Sequence, residues 1–272
     1  MPTRRAAGKA SFQGPTQLES YVLHSWDWSE SSLIVELFTR ERGRLTVVAK
    51  GAKRPTSQLR AVLLPFQPIQ AQLSKTRADD SGEIHLLRHA EWQGGGPVLP
   101  PAALFQGFYL NELLMKLLAR HDPHALLFDA YVHSLPALAH GDELLAQAGL
   151  RAFELVLLRE SGVLPDLSRS TLAQAALQAS ESYALRPESG LVKVVGDEPA
   201  LKGQQWLRLH EALGADSMSQ LHSACATGLS ALKPLLRTLL HYHLGSSTLR
   251  TRQVMHSVQR LLDSASAANA RL

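Results

Sequence analysis

The residues best able to do chemistry form a basic cluster in the first quarter of this 272-residue chain. The cluster comprises Arg40, Arg42, Arg44, Lys50, Lys53, Arg54 and Arg60. Glu41 is the one acid among them. Cations at this density can follow the phosphates of a nucleic acid, and such binding weakens with salt and shows little sequence preference. A solvated basic surface has a similar composition, so the composition alone leaves both interpretations open.

Two tryptophans, Trp26 and Trp28, flank Asp27 shortly before this cluster. In an extended segment the two indoles would share one face, because side chains alternate along a strand. Indoles in such a position can stack on nucleic acid bases, although they more often serve packing. The sequence leaves both roles open.

A second basic region lies near the end of the chain. From Ser217 to Leu262 the sequence contains no aspartate or glutamate. Its lysine and arginine residues are Lys233, Arg237, Arg250, Arg252 and Arg260. They either pack against acids of earlier helices or extend a path for DNA, and the two possibilities carry equal weight at this point.

The common catalytic signatures are missing from the sequence. There is no G-x-x-x-x-G-K-[ST] phosphate loop and no G-x-S-x-G nucleophile elbow. The single cysteine, Cys225, excludes an internal disulfide and a cysteine-based zinc cluster. His85 and His89 lie four apart in a predicted strand, hence about 13 Å from each other, too far to share a metal. We therefore expect a protein that is not an enzyme and has no metal site and no cofactor.

Composition and charge place the chain among globular proteins, with 45% hydrophobic and 19% charged residues. The net charge of +4 permits a polyanionic partner without requiring one. Arg4 and Arg5 are not followed by an apolar stretch, so they do not form a twin-arginine export signal. No run of about 18 apolar residues predicts a membrane span. Together with the single cysteine, this predicts a cytoplasmic protein without membrane contact.

The basic cluster lies in a segment with the pattern of β-strands. Leu33, Val35 and Leu37 alternate with other side chains at the period of two that is typical of strands. Gly43 supplies the positive φ that a hairpin turn often needs. Five short strands are predicted between residues 17 and 95, and five strands in such a short stretch favour a small closed barrel. Residues 1–16 are predicted to form a flexible basic arm.

Glycines and prolines from Gly94 to Pro101 mark a domain boundary. Beyond it, leucines from Leu110 to Leu118 follow the spacing of a helix, so residues 100–263 are predicted to be a helical domain. Residues 163–203 lack a sustained period and are predicted to be an irregular insertion with a short hairpin. One long helical stretch is expected from Ser217 to Leu244, kinked or split at Pro234.

Several runs of residues, in this order, resemble the bacterial RecO family. The runs occupy residues 21–25, 28–33, 38–44, 47–53, 64–68, 109–114, 153–158, 235–237, 243–245 and 251–252. The most diagnostic is Val47-Val48-Ala49-Lys50-Gly51-Ala52-Lys53, and the resemblance extends from about Leu18 to Leu262. It implies an α+β protein with an N-terminal OB-fold barrel and a helical C-terminal domain.

The resemblance also implies a role in recombinational DNA repair. Members of the family bind single- and double-stranded DNA, anneal complementary strands without ATP, and act with RecR to load RecA onto strands coated by single-stranded DNA-binding protein. Many members hold zinc in a cysteine cluster after the helix that contains residues 153–158. Here the stretch from Pro165 onward has no cysteine, so the zinc site is not carried over. Alternatives are an OB-fold adaptor acting mainly through proteins, or an RNA-binding protein.

A partner site is implied on the helical domain around Arg151 and Leu155, which share a helix face at a spacing of four. The resemblance implies a groove here for the acidic C-terminal tail of single-stranded DNA-binding protein. A guanidinium can clamp the terminal carboxylate while leucines take the apolar side chain. In the alternative interpretation, Arg151 pairs with an acid on a nearby helix and Leu155 belongs to the core.

Overall fold

The computed structural model describes residues 17–74, 84–245 and 249–260, the last range without 252, 256 and 259. The predicted basic arm, residues 1–16, and Arg252 lie outside the described residues. Within the described residues the chain first forms a closed β-barrel and then a set of packed helices.

Five strands form the barrel in the order β1-β2-β3-β5-β4, and β4 pairs back onto β1 to close it. The strands are β1 (Gln17–Asp27), β2 (Leu33–Thr39), β3 (Gly43–Ala49), β4 (Ile69–Leu73) and β5 (Ile84–Trp92), and the one-turn helix α1 (Leu59–Val62) lies between β3 and β4. Alternate residues such as Val35, Leu37 and Val47 point inward and are fully buried. Each of the five strands pairs with two neighbours, so the barrel is closed. This confirms the predicted OB-fold barrel.

Gly43 is needed at the start of β3 for two reasons. Its φ of +66° lies in the left-handed region, as the turn requires. A Cβ atom at this position would also lie 1.9 Å from the carbonyl oxygen of Asp122. The turn between β2 and β3 therefore touches the loop between the first two helices of the helical domain.

The helices that follow are α2 (Pro101–Leu117), α3 (Ala125–Ala139), α4 (Glu143–Glu160), α5 (Gly203–Gly214), α6 (Met218–Ala226) and α7 (Leu229–Leu244). Helix α4 lies at the centre, in contact with α2, α3, α6 and α7. Its start is set by Asp142, whose carboxylate accepts hydrogen bonds from the amides of Leu144 and Leu145. The predicted α+β fold class is confirmed.

Helix α5 follows the insertion, within the residues predicted to be helical, and its buried residues Trp206, Leu209 and Leu213 have helical spacing. One detail of the helical prediction is wrong. The long C-terminal stretch divides at Gly228 and not at Pro234, which lies within a continuous α7. A Cβ at position 228 would approach the Leu201 side chain to 2.5 Å, so this close packing favours glycine where the two helices meet.

The insertion at residues 163–203 contains the expected hairpin but is more regular than predicted. Its strands are β6 (Arg169–Ser170), β7 (Ala175–Ala176), β8 (Ser182–Arg186), β9 (Gly190–Lys193) and β10 (Leu201–Lys202), arranged as a three-stranded sheet in the order β10-β8-β9 and a β6-β7 pair. Trp206 of α5 is fully buried and donates its indole N–H to the carbonyl of Tyr183 at 3.0 Å. Apolar packing of this kind fixes the insertion to the helices.

Candidate nucleic-acid interface and partner groove

The predicted cations lie at two opposite ends of the hairpin formed by β2 and β3. At one end, here called the base, Leu33 pairs with Ala49, and at the other, the tip, Thr39 pairs with Gly43. Six residue steps separate the two ends, hence about 20 Å. Arg40, Arg42 and Arg44 lie at the tip, whereas Lys50, Lys53, Arg54 and Arg60 follow the base. The seven residues therefore do not form one cluster.

The tip lies against the helical domain. Tyr21 of β1 and Phe38 of β2 point outward from the barrel and pack on Phe128 and Tyr131 of α3, with ring centroids 5.1 to 6.0 Å apart. The side-chain amide of Asn111 donates to the carbonyl of Leu23 at 2.9 Å. Tyr131 in turn donates its hydroxyl to Asn111 at 2.7 Å. This contact buries Tyr21 and Phe38 on the outer face of β1 and β2.

Arg40 and Arg44 both take part in this contact. Arg40 forms a two-pronged ion pair with Asp129 of α3, and this hydrogen bonding raises the pKa of the guanidinium. The Arg44 side chain is only 13% exposed and pairs with the fully buried Glu36 at 3.2 Å. It also donates to the carbonyl of Met115 in α2, and burial lowers its pKa. The structure thus places both arginines between the domains.

Glu36 holds a second arginine from the helical side. Arg120, in the loop between α2 and α3, pairs with Glu36 at 3.2 Å. The hydroxyl of Thr46 donates to the other carboxylate oxygen at 2.8 Å. A single buried carboxylate therefore receives Arg44 from the barrel and Arg120 from the helices. Sequence reasoning did not identify Glu36, and an acid at an outward position of a strand was the available signal.

Arg42 is the remaining tip cation and is partly exposed. It lies near His85 of β5, whose pKa is lowered by burial first and then by the charges of Arg42 and His121. The rings of His85 and His121 are 5.4 Å apart, and the Nε2 atom of His85 is buried without a hydrogen-bond partner. Acidification would place another positive charge in this already basic corner.

The base of the hairpin faces away from the helical contact, and Lys53 organises it. Its amide donates to the carbonyl of Ser31 at 2.9 Å and its ammonium group to that of Ser29 at 3.1 Å. The same ammonium group pairs with Asp27 at 3.2 Å. Lys53 therefore ties the loop after β3 to the loop between β1 and β2. Lys50, Arg54 and Arg60 are exposed around these loops.

The two tryptophans lie at the same end. Trp26 is 40% exposed and Trp28 is 62% exposed, so neither indole is enclosed in the core. The ring of His24 meets the ring of Trp26 edge-on at 4.5 Å. Arg88 of β5 is exposed as well and lies on the same outward face as Leu86. It is not among the DNA-binding residues predicted from the sequence, although the alternation of β5 indicates its position.

The predicted partner residues Arg151 and Leu155 are both buried. Leu155 is fully enclosed in the helical core. Arg151 donates to one carboxylate oxygen of Glu154 at 2.6 Å, and the hydroxyl of Tyr109 donates to the same oxygen at 2.6 Å. Burial, as the largest influence, raises the pKa of Glu154. Arg151 therefore pairs with an acid of its own helix.

A groove of about 440 Å³ nevertheless opens beside Arg151. Its lining includes Phe105, Tyr109, Leu150, Arg151, Lys233, Arg237, Leu240, Leu249 and Met255. Leu150 replaces Leu155 as the leucine that α4 contributes. The acid-free C-terminal region supplies one wall, and its amides at Arg250 and Thr251 donate to the carboxylate of Glu112 in α2. This segment thus packs against an acid of an earlier helix.

Other kinds of site receive no support from the part of the chain that the structure describes. It shows no group of three or more histidine, cysteine or acidic residues placed to hold a metal ion. Over the same residues, no helix combines the length and apolar character needed to cross a bilayer.

Comparison with known proteins agrees with this architecture. Residues 15–92 match the family model described as "Recombination protein O N terminal", and residues 101–253 match "Recombination protein O C terminal". The "DNA repair protein RecO" of Verminephrobacter eiseniae is 51% identical over 246 residues, covering 89% of this chain and 96% of that relative. Proteins with the same description in a Polaromonas species and in Acidovorax ebreus are 48% and 49% identical, with the same coverage of both chains. The chain therefore belongs to the RecO family of DNA repair and recombination proteins.

Proposed function

We propose that this protein is a non-enzymatic recombination mediator that binds and anneals single-stranded DNA and also binds double-stranded DNA. With RecR it helps to load RecA onto strands coated by single-stranded DNA-binding protein, in the cytoplasm where the chromosome lies. The observation that carries the proposal is the base of the hairpin. There, exposed cations surround two loops that Lys53 fixes on the barrel face that the helices leave open.

The cations divide into three roles in this proposal. Lys50, Arg54 and Arg60, with Arg42 at the tip, contact phosphates because their side chains reach solvent. Lys53 positions the loops, since it is held by Asp27 and two carbonyls. Arg40 and Arg44 join the barrel to the helices. DNA binding through exposed cations explains affinity without sequence preference.

Binding measurements separate this function from the alternatives. Fluorescence anisotropy of labelled single-stranded DNA, duplex DNA and single-stranded RNA across a salt series should show DNA binding that weakens steeply with salt. Complementary strands should anneal faster with the protein in the absence of ATP. An adaptor that acts through proteins alone would bind none of the three nucleic acids, and an RNA-binding protein would prefer the RNA.

The groove beside Arg151 is proposed as the site for the acidic tail of single-stranded DNA-binding protein. Its apolar lining suits the terminal apolar side chain, and Lys233 is an exposed cation at its edge. Arg151 contributes positive potential, but its guanidinium already binds Glu154. We therefore propose that the tail carboxylate binds Lys233 more directly than Arg151. From the sequence alone, that role was expected of Arg151.

We expect Lys233→Glu to weaken binding of an acidic peptide with an apolar C-terminal residue by about tenfold or more, because it reverses a charge at the groove. Titration of a labelled peptide by anisotropy measures this. Lys202→Glu, an exposed lysine outside the groove, is the matched control. A peptide with an amidated C-terminus should bind weakly to wild type and to Lys233→Glu alike. Unchanged peptide affinity in Lys233→Glu would place the tail elsewhere.

A further inference from the structure

One row of outward side chains crosses four neighbouring strands at the base of the hairpin. Trp26 of β1 is paired with Ile34 of β2, which is paired with Val48 of β3, which lies beside Leu86 of β5. Because directly paired residues point to the same face of a sheet, these four side chains stand side by side. All four are apolar, and Trp26 and Leu86 are 40% and 37% exposed.

The next row toward the tip is different. It runs through His24, Glu36, Thr46 and Ile84 in the same register. Here Glu36 binds the hydroxyl of Thr46 and the guanidinium groups of two arginines, so the centre of this row is occupied by the contact with the helices, whereas His24 and Ile84 at its two ends are exposed. The apolar row lies just beyond this contact and belongs to neither of the two hydrophobic cores. It differs from the row beside it in being apolar on all four strands and in having no ion pair at its centre.

Charged groups border the apolar row on two sides. Lys50 follows Val48 by two residues at the end of β3, and Arg54 lies in the same loop. Arg88 follows Leu86 by two residues on the outward face of β5. The acid Asp27 is neutralised by Lys53, which leaves Glu30 as the remaining acid of the loop that carries Trp28. The row is apolar along its length and mainly cationic at its borders.

From this arrangement we propose that the row Trp26, Ile34, Val48 and Leu86, together with Trp28, is a stacking platform for the bases of an unpaired DNA strand. The bases lie on the apolar row, while the phosphates run past Lys50, Arg54 and Arg88. Three strand spacings make the row about 14 Å long, so more than one base can lie on it. This inference rests on the proposed DNA binding and adds to it the element that distinguishes single strands from duplexes.

The discrimination follows from what each form of DNA exposes. Every base has a π-face on which an indole can stack, whatever the sequence. In a duplex those faces are covered by neighbouring base pairs, and only phosphates and groove edges are available. Cations alone bind both forms. The platform therefore contributes affinity to unpaired strands only, and it would hold their bases open for a complementary strand.

Replacing both exposed indoles tests the platform. Trp26→Ala combined with Trp28→Ala should weaken binding to an oligothymidine by about tenfold for each indole lost, because stacking acts on every base in contact. The affinity for duplex DNA should stay within twofold of wild type. The slope of log affinity against log salt should be unchanged. Trp26→Phe with Trp28→Phe should restore most of the loss, since phenyl rings also stack.

Trp92 provides the matched control. It is 59% exposed but pairs with Ile69 of β4 and lies six residues beyond Leu86 along β5, so it is not a member of the apolar row. Trp92→Ala should leave the affinity for single strands unchanged. Oligothymidine should quench the tryptophan emission of wild type and of Trp92→Phe, and the quenching should be largely absent from the Trp26→Phe, Trp28→Phe protein.

The outcomes distinguish this inference from the function beneath it. If wild type binds no DNA, the proposed function itself fails. If wild type binds DNA and the double alanine variant binds single strands as tightly, or loses duplex binding equally, there is no stacking platform. Tighter binding of unpaired RNA of matching sequence to wild type would overturn DNA as the occupant.

Discussion

The two ends of the β2–β3 hairpin carry similar cations but meet different surroundings. At the tip, Arg40 and Arg44 find carboxylates at Asp129 and Glu36 and join the barrel to the helices. At the base, Lys50 and Arg54 are exposed, and so in part are Trp26 and Leu86. The comparison teaches that a basic cluster in a sequence becomes a binding surface only where the fold brings no acid to it.

The aromatic side chains on the outer face of the barrel show the same contrast. Toward the tip, the strand faces carry Tyr21 and Phe38, which are buried against α3. Toward the base they carry Trp26, which remains 40% exposed. Burial of the first pair stabilises the domain contact, whereas the exposed part of Trp26 contributes no burial energy to folding and is accessible to a ligand. We therefore propose that the tip, apart from Arg42, serves the domain contact and that the base serves binding.

The largest effect is expected from Glu36→Ala at the tip. Removing this carboxylate leaves Arg44 and Arg120 without their shared partner, and Arg44 is nearly buried. Loss of one member of a buried ion pair typically destabilises by about 3 kcal/mol, and the partial exposure of Arg120 lowers that figure somewhat. Urea unfolding measures the change, with the exposed Glu30→Ala as control. A loss below about 0.5 kcal/mol would show that the tip contact does not depend on this carboxylate.

Acidification should also act on the tip. The folded-state pKa of His85 lies below its ordinary value, because burial, Arg42 and His121 all disfavour its charged form. Below pH 6.5 the unfolded chain therefore takes up a proton that the folded chain does not, and stability falls as pH falls through this range. His85→Leu should reduce that fall between pH 7.5 and 5.5 in thermal unfolding. His89→Gln, at a side chain 45% exposed, should not, and an equal effect of both would contradict the assignment to His85.

A smaller effect is expected from Arg40→Ala. The pair with Asp129 is 38% exposed on each side, so its loss should cost about 0.5 to 1 kcal/mol of stability. Because Asp129 already binds the guanidinium, we expect the affinity for DNA to change by less than about twofold. Unfolding and anisotropy on the same preparations test both statements. If Arg40→Ala weakens DNA binding as much as Lys50→Ala does, the distinction between tip and base is wrong.

Much of the fold could be predicted from the sequence because its signals are local. Alternation in Leu33, Val35 and Leu37 indicates a half-buried strand, and the leucine spacing after Pro101 indicates a helix. The start of α4 follows from the capping side chain of Asp142. The close approach of Leu201 to Gly228 could not be predicted, because it brings together distant parts of the chain.

The site was less predictable because it depends on long-range partners. Asp129 lies 89 residues beyond Arg40, and nothing near Arg40 indicates that this acid will face it. The pairing of Val48 with Leu86 joins strands from distant parts of the chain, so the apolar row has no local pattern. Likewise, Arg151 and Leu155 have suitable spacing for a shared face, but α4 is enclosed on nearly all sides.

The measurement that tests the central claim most directly compares DNA binding before and after removal of the exposed cations at the base of the hairpin. Lys50→Ala, Arg54→Ala and Arg60→Ala together remove the exposed base cations and should lower affinity for single-stranded DNA by tenfold or more at about 0.1 M salt. The slope of log affinity against log salt should flatten by roughly two to three units. Lys202→Ala with Arg208→Ala, two exposed cations on the far helical side, should change neither quantity beyond twofold. Wild-type affinity and slope in the folded triple variant would contradict the account and move the DNA site away from the base of the hairpin.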